Sequence, residues 1–189
     1  MLSSRFGHFL DKPLAPLFKK IKLSPYFFTI AGFVVTFLAA FSIQLSAKLA
    51  GALILLGGLF DMFDGVAARV NNKTTKFGAF FDSVVDRYSD SFIFVSVAWY
   101  LVSRNDSTTA YVAIATLVGA LIISYAKARA EGLGETCDVG IMERPDRIVL
   151  ISFALLTDLL VPVLWIMFVL THMTVAQRAY HVWKKTREI

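Results

Sequence analysis

A series of apolar segments, each near the length of a membrane-spanning helix, most constrains how this chain can fold. Crossing the hydrocarbon core of a bilayer takes about 20 mainly apolar residues in a helix. Six such segments follow one another, and only the fifth is short for a crossing; they run over residues 27–47, 50–71, 77–103, 110–130, 147–159 and 160–180. Hydrophobic residues make up 57% of the chain, above the roughly 45–50% usual for soluble domains. The pattern predicts an all-α integral membrane protein with six transmembrane helices.

The distribution of basic residues tests that count of helices. Of the 19 Lys and Arg residues, only Lys48 and Arg104 fall in the odd-numbered connections between the predicted helices. Cytoplasmic loops of membrane proteins carry an excess of Lys and Arg. An even number of crossings places both termini on one side, so the distribution predicts a cytoplasmic (inner) membrane protein with both ends facing the cytoplasm.

The first 24 residues interleave Phe and Leu with Arg and Lys. Such a basic amphipathic segment is typical of a helix that lies on a membrane surface. A nucleic-acid-binding arm can be equally basic, but the hydrophobic body attached to this segment favours the bilayer, and no nucleic-acid partner is expected. We therefore expect one domain over residues 1–189, with an amphipathic segment at 1–24 and a six-helix bundle at 25–181.

Two pairs of aspartates interrupt the second and third apolar segments. Asp61 and Asp64 are three residues apart, and Asp82 and Asp86 are four apart, so each pair shares one face of its helix. The short polar connection at residues 71–76 makes the two helices a hairpin. Because each pair lies roughly two to three turns from that connection, the four carboxylates are predicted to converge.

Convergence of four carboxylates in a membrane is unfavourable unless their charge is compensated. Each Asp at the centre of a membrane helix costs about 2.5–3.5 kcal/mol on insertion scales. Either cations are bound or some carboxylates are protonated. Clusters of oxygen ligands suit Mg²⁺, Mn²⁺ or Ca²⁺, and a pair of such ions can hold phosphoryl oxygens during in-line displacement.

The residues around the aspartates complete a pattern with fixed spacing. Taken separately, the small residues are typical of helix packing, the arginine of a cytoplasmic anchor and a membrane aspartate of a proton relay. Together they spell D-x2-D-G-x2-A-R-x8-G-x3-D-x3-D, which comprises Asp61, Asp64, Gly65, Ala68, Arg69, Gly78, Asp82 and Asp86. Eight fixed positions are not expected by coincidence.

This pattern resembles the signature of the CDP-alcohol phosphotransferases, membrane enzymes of phospholipid synthesis. In that family a CDP-linked lipid, usually CDP-diacylglycerol, donates its phosphatidyl group to the hydroxyl of a polar alcohol, and CMP leaves. The resemblance implies a divalent metal site for Mg²⁺ or Mn²⁺, with two ions, formed by Asp61, Asp64, Asp82 and Asp86. It further implies that Asp86 is the base that deprotonates the acceptor.

The same resemblance implies a nucleotide and diphosphate pocket formed by Thr29, Asp61, Gly65, Ala68, Arg69 and Gly78. One departure concerns the start of the first helix. Many members read Pro-Asn-x-x-Thr there, whereas this chain keeps Pro25 and Thr29 but has Tyr26 in place of the Asn. The departure affects one expected nucleotide contact and leaves the reaction class unchanged. Homodimerisation is also expected from the resemblance alone.

Four cations flank the loop that follows the fourth predicted helix: Lys127, Arg129, Arg144 and Arg147. Two of them could simply follow the positive-inside rule. Four at one cytoplasmic mouth suit an acceptor that carries its own phosphate. The sequences DSVVDRYSD, SYAKARAE and ERPDR resemble the phosphatidylinositol-phosphate and archaetidylinositol-phosphate synthases of the family, which implies inositol 1-phosphate as acceptor at these four cations.

Several alternatives stay open from sequence. The acceptor could instead be glycerol 3-phosphate, serine or another polar alcohol, and the donor could carry ether-linked archaeal chains. A divalent-cation or proton-coupled carrier also needs carboxylates inside the membrane. Carriers, however, are often built from internal repeats, whereas here the acidic residues lie on a single hairpin. Asp90, one turn beyond Asp86, is predicted to tune the site or to pair with a buried arginine such as Arg87.

Overall fold

The computed structural model describes residues 24–71 and 73–187 and contains six α-helices in that part of the chain. Their bounds are Pro25–Ser42 (α1), Ala47–Val70 (α2), Lys76–Val102 (α3), Ser107–Glu131 (α4), Arg144–Leu156 (α5) and Leu160–Arg187 (α6). The predicted amphipathic segment falls on residues 1–24, of which all but the last lie outside the described residues. The six predicted helices of the body are confirmed.

Local sequence explains where several of these helices begin. Ser46 and Thr75 precede α2 and α3, and each side chain accepts a hydrogen bond from the backbone three residues on. Asp106 does the same for α4. Such N-caps satisfy amide groups that have no partner within the helix. At the start of α5, Glu143 and Asp146 form a reciprocal capping box, which aims the first turn of this helix.

The helices form a bundle in which α2 packs against α1 and α5, α3 against α1 and α4, and α6 against α4 and α5. One large apolar cluster joins the middle of the bundle and includes Ile54, Phe94 and Leu164, all at most 2% exposed. A separate small cluster of Phe28, Val66 and Ala67 lies where α1 meets the end of α2. The segments of α2 and α3 that carry the aspartates lie outside the large cluster.

Four of the six helices, α1, α2, α4 and α6, are long and apolar enough to cross a membrane. The prediction of six transmembrane helices is therefore confirmed only for the number of helices. The 27-residue α3 is long enough, but Asp82, Asp86, Arg87 and Asp90 reduce its hydrophobicity. The 13-residue α5 spans about 20 Å, less than the roughly 30 Å hydrocarbon core.

Candidate active site

The hairpin of α2 and α3 brings the four predicted carboxylates close enough to interact electrostatically. Asp64 on α2 is buried, at 7% exposure, and is repelled by the carboxylates of Asp82 and Asp61. Asp86 on α3 likewise interacts with both Asp82 and Asp61. The two aspartate pairs thus face each other across the hairpin, as their spacing from the turn predicts.

A guanidinium from a third helix lies between the two pairs. Arg144, in the first turn of α5, places its Nη1 atom 2.7 Å from Asp61 Oδ2 and 2.8 Å from Asp86 Oδ1. Only 18% of its side chain is exposed. Buried carboxylates need a compensating charge, and here a single arginine serves both helices of the hairpin. The capping box and Pro145 at the start of α5 explain why the helix begins at this point.

A hydroxyl group of α1 binds the carboxylate of Asp64. Thr29 of α1 donates a 2.7 Å hydrogen bond to Asp64 Oδ2, and the threonine is only 4% exposed. A buried carboxylate that accepts a short hydrogen bond is held in one orientation. Thr29, which is expected at the nucleotide, is therefore hydrogen-bonded to Asp64 in the structure.

Close packing of α1 on α2 depends on a glycine that sequence reasoning missed. A Cβ atom added to Gly32 would lie 2.7 Å from Asp61 Oδ1 and 3.1 Å from the carbonyl oxygen of Gly57. Glycine alone lets the two backbones approach this closely. The signal in the sequence is weak, because a glycine in an apolar helix does not reveal which residue it contacts. Gly32 thus fixes the space around Asp61.

Asp90 pairs with a buried arginine, although not with the one predicted. Its Oδ2 atom accepts a 2.7 Å hydrogen bond from Nη2 of Arg147, and its Oδ1 atom lies 3.6 Å from Nε of Arg144. Arg87 instead donates to the carbonyl oxygen of Ser83 and lies 3.8 Å from Asp86. The suggested Arg87 partner is wrong, because α5 presents Arg147 to the face of α3 that carries Asp90.

Four of the residues expected at the nucleotide, Gly65, Ala68, Arg69 and Gly78, lie beside the turn that joins α2 to α3. The guanidinium of Arg69 lies over Gly65, where an added Cβ would meet its Nη1 atom at 3.1 Å. Gly78 donates its backbone N–H to the hydroxyl of Thr75, and that hydroxyl is 3.2 Å from the hydroxyl of Tyr26. Ala68 is half-buried on α2. The tyrosine that replaces the expected asparagine is therefore hydrogen-bonded to the turn beside Gly78.

The four cations predicted for the acceptor have different surroundings. Arg144 and Arg147 contact the aspartates, and Arg147 is only 2% exposed. Lys127 donates a 2.6 Å hydrogen bond to Asp138 in the loop before α5, which holds the pKa of that carboxyl below its usual range. Arg129 is exposed near the end of α4. Their predicted role at an acceptor stays a prediction.

A second buried arginine was not singled out by sequence reasoning. Arg178 of α6 donates to the carbonyl oxygens of Ile123 (2.6 Å) and Val139 (2.9 Å). One turn earlier, the Thr174 hydroxyl accepts hydrogen bonds from the loop. Together they fasten α6 to the segment that leads into Arg144. In the sequence, Arg178 is one of several basic residues near the end of a long apolar helix. That position does not distinguish an arginine at the membrane surface from a buried arginine.

The donor set at this site fits a hard divalent cation. Carboxylate oxygens from two helices are the ligands that Mg²⁺ and Mn²⁺ prefer. Oδ1 of Asp86 is buried and accepts no hydrogen bond of good geometry, although Nη1 of Arg144 lies 2.8 Å away. As the side chains are placed, no three His, Cys, Asp or Glu residues of the described ranges form a ready metal-binding group. Arg144 lies between the carboxylates instead. A metal that bound both Asp61 and Asp86 would therefore displace this arginine.

Comparison with known proteins identifies relatives of most of the chain. The family model described as CDP-alcohol phosphatidyltransferase matches residues 22–177. The archaetidylinositol phosphate synthase of Pyrococcus horikoshii is 36% identical over 86% of this chain and 85% of its own length. The phosphatidylinositol phosphate synthase of Corynebacterium glutamicum is 37% identical over 88% of this chain and 81% of its own.

Solved structures of the phosphatidylinositol phosphate synthase of Mycobacterium tuberculosis have the same fold. The crystal structure with CDP-DAG bound has a TM-score of 0.81 and 29% identity, covering 92% of this chain and 93% of that one. A second crystal structure, in complex with manganese and citrate, has a TM-score of 0.81 and 30% identity, covering 92% of this chain and 88% of the other. The likeness covers 92% of this chain and is therefore not confined to the motif.

Proposed function

This chain belongs to the CDP-alcohol phosphatidyltransferase family, and we propose that it transfers the phosphatidyl group of CDP-diacylglycerol to inositol 1-phosphate with release of CMP. The observation that carries the proposal is the convergence of Asp61, Asp64, Asp82 and Asp86 on one hairpin. A buried, acidic, oxygen-rich cluster has little structural value in a membrane protein. It suits a reaction in which a diphosphate is bound and cleaved through metal ions.

The choice of acceptor rests on the charge at α5 and on the relatives. Arg144 offers a guanidinium at the edge of the aspartate cluster, and guanidinium groups bind phosphate in bidentate fashion. Lys127 and Arg129 add cations at the end of α4. Two relatives that each match most of this chain are named for inositol phosphate products. Glycerol 3-phosphate, serine and other polar alcohols are the alternative acceptors, and an ether lipid is the alternative donor.

The proposed mechanism is a direct displacement at the phosphatidyl phosphorus. Asp86 accepts the proton of the acceptor hydroxyl, the acceptor oxygen forms a bond to that phosphorus, and the bond to the CMP oxygen breaks. Thr29 holds Asp64 in place through its hydrogen bond, and Gly32 keeps space at Asp61. Gly65, Ala68, Arg69 and Gly78 would hold the nucleotide.

Asp61, Asp64, Asp82 and Asp86 are the residues that would hold Mg²⁺ or Mn²⁺, with two ions proposed. When bound, the metal neutralises phosphoryl charge and stabilises the leaving group. The manganese complex of the Mycobacterium tuberculosis relative supports a divalent metal. The displacement of Arg144 from Asp61 and Asp86 would release a cation for the phosphate of the acceptor.

The chain is an integral membrane protein with several apolar helices. We further infer that α3 and α5 complete six crossings in a bundle over residues 25–181 of one domain that spans residues 1–189. We also infer that both termini and the site face the cytoplasm and that the protein is a homodimer. A site near the cytoplasmic surface reconciles the soluble nucleotide and acceptor with acyl chains that stay in the bilayer. The uneven distribution of Lys and Arg supports this orientation.

The test is CMP release by the purified protein with Mg²⁺ and CDP-diacylglycerol. Inositol 1-phosphate, glycerol 3-phosphate, serine and free inositol are compared as acceptors in parallel reactions. We expect CMP with inositol 1-phosphate at a rate well above the other three. Turnover with a different acceptor would keep the reaction and overturn the acceptor. Absence of CMP with every acceptor, and again with an ether-linked donor, would favour the carrier.

A further inference from the structure

We propose that Asp90, which is outside the eight-residue motif, is a positioning residue that sets where Arg144 lies at the acceptor subsite. This inference rests on the proposed function of the same site. Asp90 is 3% exposed and lies one helical turn from Asp86 on α3. Its two carboxylate oxygens face different arginines of α5, with Oδ2 at 2.7 Å from Arg147 and Oδ1 at 3.6 Å from Arg144.

Arg147 is an anchor and not a ligand-binding group in this arrangement. It is 2% exposed, and Asp90 is its one ion-pair partner among the described residues. Its Nε and Nη1 atoms are buried without hydrogen-bond partners. A guanidinium this deeply enclosed is costly to bury unless it is paired. The Asp90–Arg147 pair therefore fixes the first turn of α5 against α3.

Arg144 lies three residues earlier on α5, on the same face of that helix and nearer the aspartates. It is more accessible than Arg147, with 18% of its side chain exposed compared with 2%. Its Nη1 atom already contacts Asp61 and Asp86. Its Nε–H donates no hydrogen bond, and the carboxylate oxygen facing it is Asp90 Oδ1, 3.6 Å away. Asp90 thus attracts Arg144 from the Nε side of the guanidinium, whereas Nη1 contacts the aspartate cluster, and limits how far the terminal nitrogens extend.

This geometry distinguishes two of the four cations predicted for the acceptor. Arg144 is the guanidinium that can reach a phosphate group, since it lies at the edge of the cluster. Arg147 supports it from the interior through Asp90. The predicted consequence is that Asp90 controls affinity for the acceptor phosphate, and does so without contributing to the binding of the CDP-lipid.

The test is the kinetics of Asp90→Asn with each substrate varied in turn. Removing this charge leaves Arg147 unpaired and lets Arg144 settle wholly on Asp61 and Asp86. We expect the KM for inositol 1-phosphate to rise about tenfold, with kcat and the KM for CDP-diacylglycerol within about threefold of wild type. Calorimetric titration with inositol 1-phosphate should show the same loss of affinity. Asp158→Asn, which removes an exposed aspartate from an ion pair, is the matched control.

A double variant, Asp90→Asn with Arg147→Met, keeps the test valid if the single variant folds poorly. Replacing both members of a buried pair by neutral groups is often tolerated, so the double variant should melt close to wild type. Its KM for the acceptor should stay raised, because Arg144 still lacks Asp90. A return to the wild-type KM would show that Asp90 only neutralises Arg147, and equal rises in the KM of both substrates would also overturn the proposal. If wild type releases no CMP, the proposed function fails, and the calorimetric titration then decides the inference by itself: equal affinity of wild type and Asp90→Asn for inositol 1-phosphate would overturn it.

Discussion

Two ion-paired regions on the same helix differ in burial far more than in distance. Near the start of α2, Lys48 lies 3.0 Å from Asp158, and their side chains are 61% and 70% exposed. About 13 residues further along α2, Asp61 lies 2.7 Å from Arg144, and these side chains are 12% and 18% exposed. The N–O distances alone would rank the two pairs together. Burial distinguishes the solvated Lys48–Asp158 pair from the Asp61–Arg144 pair at the candidate active site.

The energetic meaning of the two regions follows from that difference. An exposed pair contributes about 0–1 kcal/mol, because water competes for both charges. Each buried ion costs several kcal/mol to desolvate, and even good pairing does not always offset that cost. Five charged residues in one buried cluster, Asp61, Asp86, Asp90, Arg144 and Arg147, are hard to explain by stability. The comparison teaches that the cluster is kept for binding and chemistry.

The largest expected effect comes from removal of divalent metal. Treatment with EDTA should lower CMP release at least about 100-fold, because a metal contributes several kcal/mol to stabilising phosphoryl charge. Added Mg²⁺ or Mn²⁺ should restore the rate, measured on the same preparation. Full activity in chelator would mean that Arg144 alone supplies the positive charge between the aspartates. The buried region would then be an arginine site and not a metal site.

A smaller but still large effect is expected for Gly32→Ala. The new methyl group would meet Asp61 Oδ1 at 2.7 Å, and displacement of a catalytic-site group by about 1 Å can cost on the order of 100-fold in rate. CMP release measures the loss. Gly132→Ala is the control, since a Cβ there meets nothing closer than 3.3 Å. Equal rates for Gly32→Ala and wild type would show that Asp61 tolerates displacement.

Thr29→Val should have an intermediate effect. The substitution keeps the shape of the side chain and removes the 2.7 Å hydrogen bond to Asp64. Loss of a buried hydrogen bond to a charged group costs about 1–3 kcal/mol, which corresponds to roughly 5- to 150-fold. Thr29→Ser retains the hydroxyl and should keep most of the activity. If serine and valine are equally impaired, the methyl group of Thr29 matters and the hydrogen bond does not.

The smallest effect is expected at the exposed pair. Asp158→Asn should leave CMP release within about twofold of wild type and change the melting temperature by no more than a few degrees. Asparagine also tolerates the positive φ of 61° at this position. Activity and thermal melting in detergent provide the measurement. A large loss would mean that burial is the wrong criterion for separating the two regions.

Features that depend on local sequence could be predicted. The six helices follow from apolar segments separated by polar turns, and the facing of Asp61 and Asp64 toward Asp82 and Asp86 follows from spacing around a short hairpin. Both require only helix geometry and a turn of a few residues. The number of membrane spans stays a prediction, because the charges on α3 and the short length of α5 leave only four of the six described helices long and apolar enough by themselves.

Features that depend on packing between distant segments could not be predicted. Arg144 is 83 residues from Asp61, and no sequence spacing reveals that α5 inserts it into the cluster. The contact of Gly32 with Asp61 and the choice of Arg147 over Arg87 as the partner of Asp90 also depend on how helices meet. From sequence alone, a basic residue near a predicted membrane edge that faces solvent cannot be distinguished from one that contacts a buried carboxylate.

The most direct test of the central claim is the rate of CMP release by Asp86→Asn beside wild type and Asp158→Asn. Each protein is assayed with CDP-diacylglycerol, inositol 1-phosphate and Mg²⁺, after gel filtration and melting show that all three are folded. Loss of a general base should lower the rate about 10²- to 10⁴-fold in Asp86→Asn, while Asp158→Asn stays near wild type. A rate for Asp86→Asn within about threefold of wild type, far less than the loss expected for a general base, would contradict the assignment of the reaction to the buried cluster.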